Sequence, residues 1–159
     1  MPKGIFAQFM QALRARWSEQ LPDLIPLQMS LGPMLPERTT FYVGRTPRLR
    51  RHVFVNLQHN TKAQHVGEFT VNVLVSSVFA EPPAAGPRLS ELGAEGSYRA
   101  GLLLHGKDKW WCLQQTAGST VGLTWRPSSY DDEREVIAQA ITDVTHDVRL
   151  VLTQLEQTA

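Results

Sequence analysis

Two neighbouring segments of the chain alternate between residue types with a period of two. They cover residues 53–58 and 68–75 and are separated by a short polar connector. A period of two is the mark of a β-strand whose two faces differ. One face carries only apolar side chains: Val53, Val55, Leu57, Phe69, Val71, Val73 and Val75. The pattern predicts an antiparallel pair of strands with one face turned to a hydrophobic core.

The opposite face of this strand pair carries a polar stripe of Asn56, Gln58, Thr70 and Asn72. Amide side chains are disfavoured in strands, so a specific interaction has to hold them there. Facing amides can bind a partner through combined donors and acceptors, or bond to one another as a structural network. Phe54 and Leu74 project to the same side, which indicates that this face is partly covered. Both interpretations of the stripe stay open at this point.

Helices are predicted at both ends of the chain. In residues 4–20 apolar side chains recur at three-to-four spacing, and Pro22 follows the segment. Near the C-terminus, Asp132 and Glu135 have the spacing of a capping box. The apolar residues after them repeat every three or four positions, at Ile137, Ile141, Val144, Val148, Val151 and Leu155. This seam predicts a helix of roughly 24 residues, about 36 Å long.

The remaining strands are predicted from shorter patterns, at residues 39–44, 98–105, 109–115 and 120–125. The turn Gly106-Lys107-Asp108 is read as the tip of a hairpin. Residues 80–97 are rich in proline, alanine and glycine and predict a long loop with one helical turn at 89–92. The fold class is therefore α+β. A single domain spans residues 1–159, with a single-layer antiparallel meander sheet of five or six strands packed against the two terminal helices.

Composition narrows the range of functions. The formal net charge of +1 gives no global attraction to nucleic acid or membrane. Cys112 is the one cysteine, so an internal disulfide and a zinc site of several thiolates are both excluded. No apolar run approaches the roughly 20 residues of a membrane span. The expected location is the cytoplasm, without membrane contact.

The chain resembles an uncharacterised bacterial family known only as a domain of unknown function. The resemblance rests on Asn56-Leu57-Gln58, Phe69-Thr70-Val71-Asn72, Arg99 with Gly101-Leu102, Lys107-Asp108-Lys109-Trp110-Trp111 and the long C-terminal helix, and it covers roughly residues 5–157. It implies a small α+β fold and no particular activity.

Trp110 and Trp111 point to opposite faces of one predicted strand. Trp111 shares its phase with Leu113 and is expected in the core. Trp110 then points to the other face, where it either lies exposed toward the polar stripe or is covered by the 80–97 loop. An exposed tryptophan is a common anchor at protein interfaces. The predicted partner-binding residues are Asn56, Gln58, Thr70, Asn72, Arg99 and Trp110.

Two further sites compete with this one. Arg45, Arg48, Arg50 and Arg51 form a basic loop that would contact phosphates in a nucleic-acid-binding protein, or else a solvated turn. His52, beside the polar stripe, is the nearest candidate for the base of an uncharacterised enzyme.

Asp143, His146 and Asp147 share one side of the C-terminal helix at spacings that suit a cation. His146 lies opposite the apolar seam, so this trio is expected to be exposed to water and to lack the outer contacts that orient metal ligands. No metal and no cofactor are predicted. Sequence motifs of nucleophilic or phosphate-binding enzymes are absent, and the balance is against catalysis.

The leading hypothesis is a non-catalytic protein-binding module, of the kind that includes toxin-neutralising immunity proteins and accessory factors. It is expected to act as a monomer or homodimer. Residues 131–156 carry seven carboxylates against two arginines. That excess would favour a basic partner surface.

Overall fold

The computed structural model describes residues 4–45, 50–60, 62, 66–82, 92–117 and 122–158. Within these residues, three helices and seven strands follow one another. Their bounds, in chain order, are α1 Ile5–Gln20, β1 Ile25–Pro26, β2 Thr40–Arg45, β3 His52–His59, β4 Glu68–Ser76, β5 Gly96–Arg99, α2 Ala100–His105, β6 Lys109–Cys112, β7 Leu123–Trp125 and α3 Glu133–Thr158. The α+β class and the terminal helices agree with the sequence prediction, and the sheet has seven strands rather than five or six.

The strands form one open sheet in which β3 and β4 are central. The order is β1-β2-β3-β4-β6-β7, and β5 also pairs with β4. Thus β5 and β6 share one edge of β4: Asn72 lies opposite Arg99 on β5, and Phe69 lies opposite Trp111 on β6. The last pair, β6 with β7, is parallel, and all the others are antiparallel.

One face of the sheet packs against α1 and α3, as the alternation predicts. Every residue of the predicted apolar face of β3 and β4 is at most 1% exposed. The seam of α3 is buried over its whole length, from Ile137 to Leu155. Trp17 on α1 donates its indole N–H to the Thr145 hydroxyl on α3, at 2.8 Å. The two helices are therefore joined to each other as well as to the sheet.

The α3 start has the Asp132 cap of the predicted capping box. The carboxylate of Asp132 accepts the backbone N–H of Arg134 at 2.9 Å, and the helix begins at Glu133. Such a cap satisfies a backbone donor that the first turn leaves without an intrahelical partner.

The second face of the sheet is half covered by the segment between β1 and β2. Phe54 and Leu74 project from β3 and β4 and pack with Leu27 and Leu35 of that segment. This small cluster confirms the expectation that the face is partly covered. The polar stripe occupies the remaining part of the face.

The predicted strand at residues 98–105, and with it the hairpin around Gly106-Lys107-Asp108, is wrong. The strand ends at Arg99 and the chain turns into the short helix α2. Gly106 ends this helix in the left-handed conformation, with φ of 71°. Gly101 explains why the helix can lie against β6: a Cβ atom there would be 2.5 Å from the Lys109 backbone nitrogen.

Two smaller predictions concern segments that lie partly outside the described residues. Of the helical turn expected at residues 89–92, only Leu92 is described. The first two residues of the predicted strand 120–125 also lie outside the described residues. Within the described part of the chain, no helix combines the length and the apolar character needed to cross a membrane.

Candidate functional site

The predicted partner-binding residues lie together on the sheet face that points away from α1 and α3. Asn56 on β3 is opposite Asn72 on β4, and Asn72 is opposite Arg99 on β5. Gln58 and Thr70 form the next pair along the same strands. Trp110 on β6 lies at the side of this row, next to the guanidinium group of Arg99. We call these six residues the polar face.

The amides of the polar face bond to one another in a continuous chain. Asn72 donates to the carbonyl oxygens of both Asn56, at 3.2 Å, and Gln58, at 2.9 Å. Asn56 in turn donates to the Thr40 hydroxyl at 3.1 Å and the Thr39 hydroxyl at 3.2 Å. Buried amides are stable only when bonded in this way. The network links β2, β3 and β4 and opposes a slip of their register.

Burial divides the polar face into a base and a contact surface. Asn56, Thr70 and Asn72 are at most 3% exposed, and Thr70 donates its hydroxyl to the Lys109 carbonyl at 2.7 Å. Gln58 is exposed, and Arg99 and Trp110 are half-buried. The base residues hold the strands in place, while Gln58, Arg99 and Trp110 present atoms to solvent. A binding role for the six remains a prediction.

Arg99 and Trp110 form a preorganised pair with Asp108, a residue that sequence reasoning missed. The Arg99 Cζ atom lies 5.5 Å from the centre of the Trp110 ring, within the range of a cation–π contact. Asp108 accepts the Trp110 indole N–H at 3.2 Å and lies 3.5 Å from Arg99 Nε. One carboxylate thus bonds to the ring and lies within ion-pair distance of the guanidinium.

The position of Asp108 depends on a close backbone approach by β7. Leu123 N–H donates to the Asp108 carbonyl at 2.6 Å. A Cβ atom on Gly122 would come within 2.3 Å of the same oxygen, and Gly122 has φ of 85°. Glycine is the residue that accommodates both demands.

On the other side of the sheet lies a buried ionic cluster built around Lys109. Its ammonium group is 2.8 Å from Asp143 Oδ2 and 2.8 Å from Asp147 Oδ2. The Trp111 indole N–H donates to the same Asp143 oxygen at 2.8 Å, and the Lys109 ammonium lies 4.8 Å from the Trp111 ring centre. His105 Nε2 lies 3.3 Å from Asp147. These contacts join β6, α2 and α3.

This cluster corrects the prediction of an exposed acidic trio on α3. Asp147 is 2% exposed and its charge is paired with Lys109, while His146 faces solvent. No group of three candidate metal ligands occurs among the described residues. Two of the seven carboxylates in residues 131–156 therefore share one lysine inside the fold and are less available to a basic partner. The sequence holds one signal for this cluster. Lys109 lies two residues before Trp111 on the same strand, so both side chains point to the inner face of the sheet.

The phase prediction for the tryptophans is confirmed. Trp111 is 0% exposed and stacks on Phe69 with ring centres 5.5 Å apart. Trp110 is half-buried on the opposite face.

The two alternative sites are the candidate base His52 and the basic loop. His52 Nδ1 lies 2.6 Å from the Tyr42 hydroxyl and sits among the rings of Tyr42 and Phe79, at the far end of β3 from Gln58. Of the basic loop, Arg48 and the Arg45 side chain lie outside the described residues. Arg50 is exposed, and Arg51 helps to lower the pKa of Glu95, which is lowered mainly by the Ser77 backbone N–H.

The fold and its polar face define a small α+β protein with one open sheet. Comparison with protein-family models, curated proteins and solved structures finds no match to this chain.

Proposed function

We propose that the chain is a non-catalytic protein-binding module of the bacterial cytoplasm that acts as an immunity or accessory protein. It would belong to the uncharacterised family that its motifs resemble. The contact surface is the exposed part of the polar face, with Gln58, Arg99 and Trp110 as the contacting residues. Asn56, Thr70 and Asn72 support them from below.

The arrangement of Trp110 and Arg99 is the observation that carries this proposal. Tryptophan and arginine are the side chains most enriched among residues that dominate interface energies. Here the ring is held by the Asp108 carboxylate and stacked under the guanidinium, so little conformational freedom remains to be lost on binding. A rigid sheet supports both groups.

The role of the polar face is tested by capturing the partner from a lysate of the encoding organism and then measuring its affinity for purified variants. Trp110→Ala should weaken binding by about tenfold or more, the loss expected of an interface anchor. Because the ring is only half-buried, the melting temperature should change little. Gln58→Ala should give a smaller loss of affinity.

The matched controls are exposed residues in the connector between β3 and β4 and on α3. Lys62→Ala and Thr142→Ala are expected to bind the partner as the unaltered protein does. If Trp110→Ala keeps full affinity, the polar face is not the contact surface. A partner that is covalently changed after incubation would contradict the non-catalytic assignment.

A further inference from the structure

Two grooves run along the solvent side of α1, which packs on the sheet face opposite to the polar face. One, of about 510 Å³, lies between α1 and α3. The other, of about 470 Å³, lies between α1 and residues 38–39. Gln11 lines both grooves, so they adjoin along one helix and form a continuous surface.

The floor of each groove is apolar. In the groove between α1 and α3 it is formed by Ala12, Ala15, Ile137 and Ile141. In the second groove Phe6, Ala7 and Met10 form it. Small side chains on α1 leave room between the helices, which is the shape that accepts the ridge of another helix.

Four arginines line the two grooves and no carboxylate does. Arg16 and Arg134 border the groove between the helices, and Arg14 and Arg38 border the other. Across the described ranges of the chain, none of the four lies within ion-pair distance of an acidic side chain. Arg99 and Lys109, by contrast, are both paired with carboxylates.

One of these arginines reaches across its groove to the opposite wall. The Arg14 guanidinium donates a hydrogen bond to the backbone carbonyl of Arg38 and lies beside the floor of its groove. Cations above an apolar floor complement a ligand that carries both carboxylates and apolar side chains.

We propose that these grooves form a docking surface for an acidic amphipathic helix of a partner protein. The apolar stripe of that helix would fill the floors on either side of α1, and its carboxylates would reach the four arginines. A nucleic-acid backbone could neutralise the arginines but would leave the apolar floors unfilled. The second groove approaches the polar face at Thr39, whose hydroxyl accepts a hydrogen bond from Asn56. The four arginines and the apolar floors share no residue with the polar face, so each proposal is tested by its own variants.

The test uses a labelled synthetic helix of about five turns with a leucine stripe and glutamate elsewhere, and its binding is followed by fluorescence anisotropy. A peptide of the same composition in scrambled order has no stripe and serves as the ligand control. Labelled duplex DNA is the second probe. We expect the striped peptide to bind the full chain more tightly than either of the other two probes.

Three variants separate charge from shape. Arg16→Glu combined with Arg134→Glu should weaken binding of the striped peptide by about tenfold or more, since the glutamate introduced at each position would repel the glutamates of the peptide. Ala15→Trp fills the floor without changing charge and should also weaken binding. Lys62→Glu combined with Lys107→Glu changes the net charge equally outside the grooves and should leave affinity within about twofold.

Three outcomes would overturn the proposal. Equal binding of the striped and scrambled peptides would mean that the apolar floors are not used. Tighter binding of duplex DNA, with the same loss in the arginine variant, would identify a nucleic-acid surface instead. Equal losses of affinity in the two charge-changing variants would mean that the peptide responds to the net charge of the protein and not to the grooves. Circular dichroism and thermal melting of each variant confirm that it is folded.

Discussion

At the residue scale, the most consequential side chain is Lys109, because its charge is buried. Its ammonium group is held by Asp143 and Asp147 at 2.8 Å each, and the Lys109 side chain is 6% exposed. Asp147 is equally buried, at 2%. Removing one partner of such a group leaves an uncompensated charge away from water, which costs more than the pair itself contributes. The cluster therefore requires a cation at this one position of β6.

Lys109→Met should lower the free energy of unfolding by about 3–5 kcal/mol, because two carboxylates lose their cation. Chemical denaturation measures this directly. Lys107→Met, two residues earlier and exposed, is the matched control and should be nearly neutral. Adding Asp147→Asn to Lys109→Met removes one of the stranded charges and should recover part of the loss. Equal stabilities for the two single variants would mean that the cluster is not formed in solution.

His59 links stability to pH. Its ring stacks on Phe6 with centres 4.3 Å apart, and its Nε2 accepts the Gly67 backbone N–H at 3.2 Å. Burial lowers the pKa of His59 below its ordinary value. The folded state therefore holds fewer protons here than the unfolded state in the interval between the two pKa values, and stability rises with pH across it.

The free energy of unfolding should fall as the pH drops below about 6.5, the ordinary pKa of histidine, and level off below the depressed value. His59→Gln removes this contribution and should show a smaller loss over the same interval. The measurement is urea unfolding of both proteins across that interval. His146, which is exposed, supplies the control: His146→Gln should follow the unaltered protein. Parallel curves for all three would assign the pH dependence to other groups.

At the scale of the element, α3 organises the core through one continuous seam. Its apolar positions recur at three-to-four spacing, and each is buried against the sheet or α1. Most of the stability of such a helix comes from packing its apolar face rather than from local propensity. A charge in the seam should therefore act on the whole fold.

Val144→Asp should abolish the cooperative unfolding transition, because the carboxylate would be buried without a partner in a position that is 0% exposed. Thr142→Asp places the same side chain two residues earlier on the exposed side of α3 and should change stability by about 0.5 kcal/mol or less. Thermal melting followed by circular dichroism compares them. If Val144→Asp melts like the control, the seam faces water.

The element that sequence reasoning missed, α2, shows why short apolar runs are ambiguous. Leu102, Leu103 and Leu104 fit a strand or one turn of a helix equally well, and periodicity alone does not separate the two over so few residues. The helix forms here because β5 and β6 share one edge of β4, so the chain between them has to leave the sheet. Gly101 permits it to pass close to β6.

At the scale of the whole molecule, the sheet separates two unequal hydrophobic clusters. The large one joins α1, α3 and the sheet, and the small one covers Phe54 and Leu74 with Leu27 and Leu35. Segments with few buried contacts open more easily than the main core, in locally cooperative units. The segment between β1 and β2 should therefore open independently of the rest.

Leu35→Ala removes a side chain that is 0% exposed from the small cluster. We expect faster hydrogen exchange at Leu31 and Leu35, whose amides bond within this segment, while exchange in the centre of β3 stays slow. Leu13→Ala, in the large cluster, is the comparison and should accelerate exchange throughout the sheet. Uniform acceleration in both variants would mean that the two clusters unfold as one unit.

The sequence by itself determined α1, α3, the two faces of β3 and β4 and the opposite orientations of Trp110 and Trp111. Each of these depends on a periodicity that is local to one segment, so the residues carry the information without knowledge of their partners. It also placed Asn56, Gln58, Thr70 and Asn72 on one face. Only the tertiary structure decided which of those amides are buried in a network and which reach solvent.

Tertiary structure alone also decided three further features. Lys109 pairs with two carboxylates more than thirty residues away. The other two are the parallel contact of β6 with β7 and the arginine-lined grooves beside α1. The physical reason is common to all three. The energy of a charge, or of an unpaired strand edge, depends on which distant groups the fold brings beside it. That information is absent from the spacing of residues along the chain.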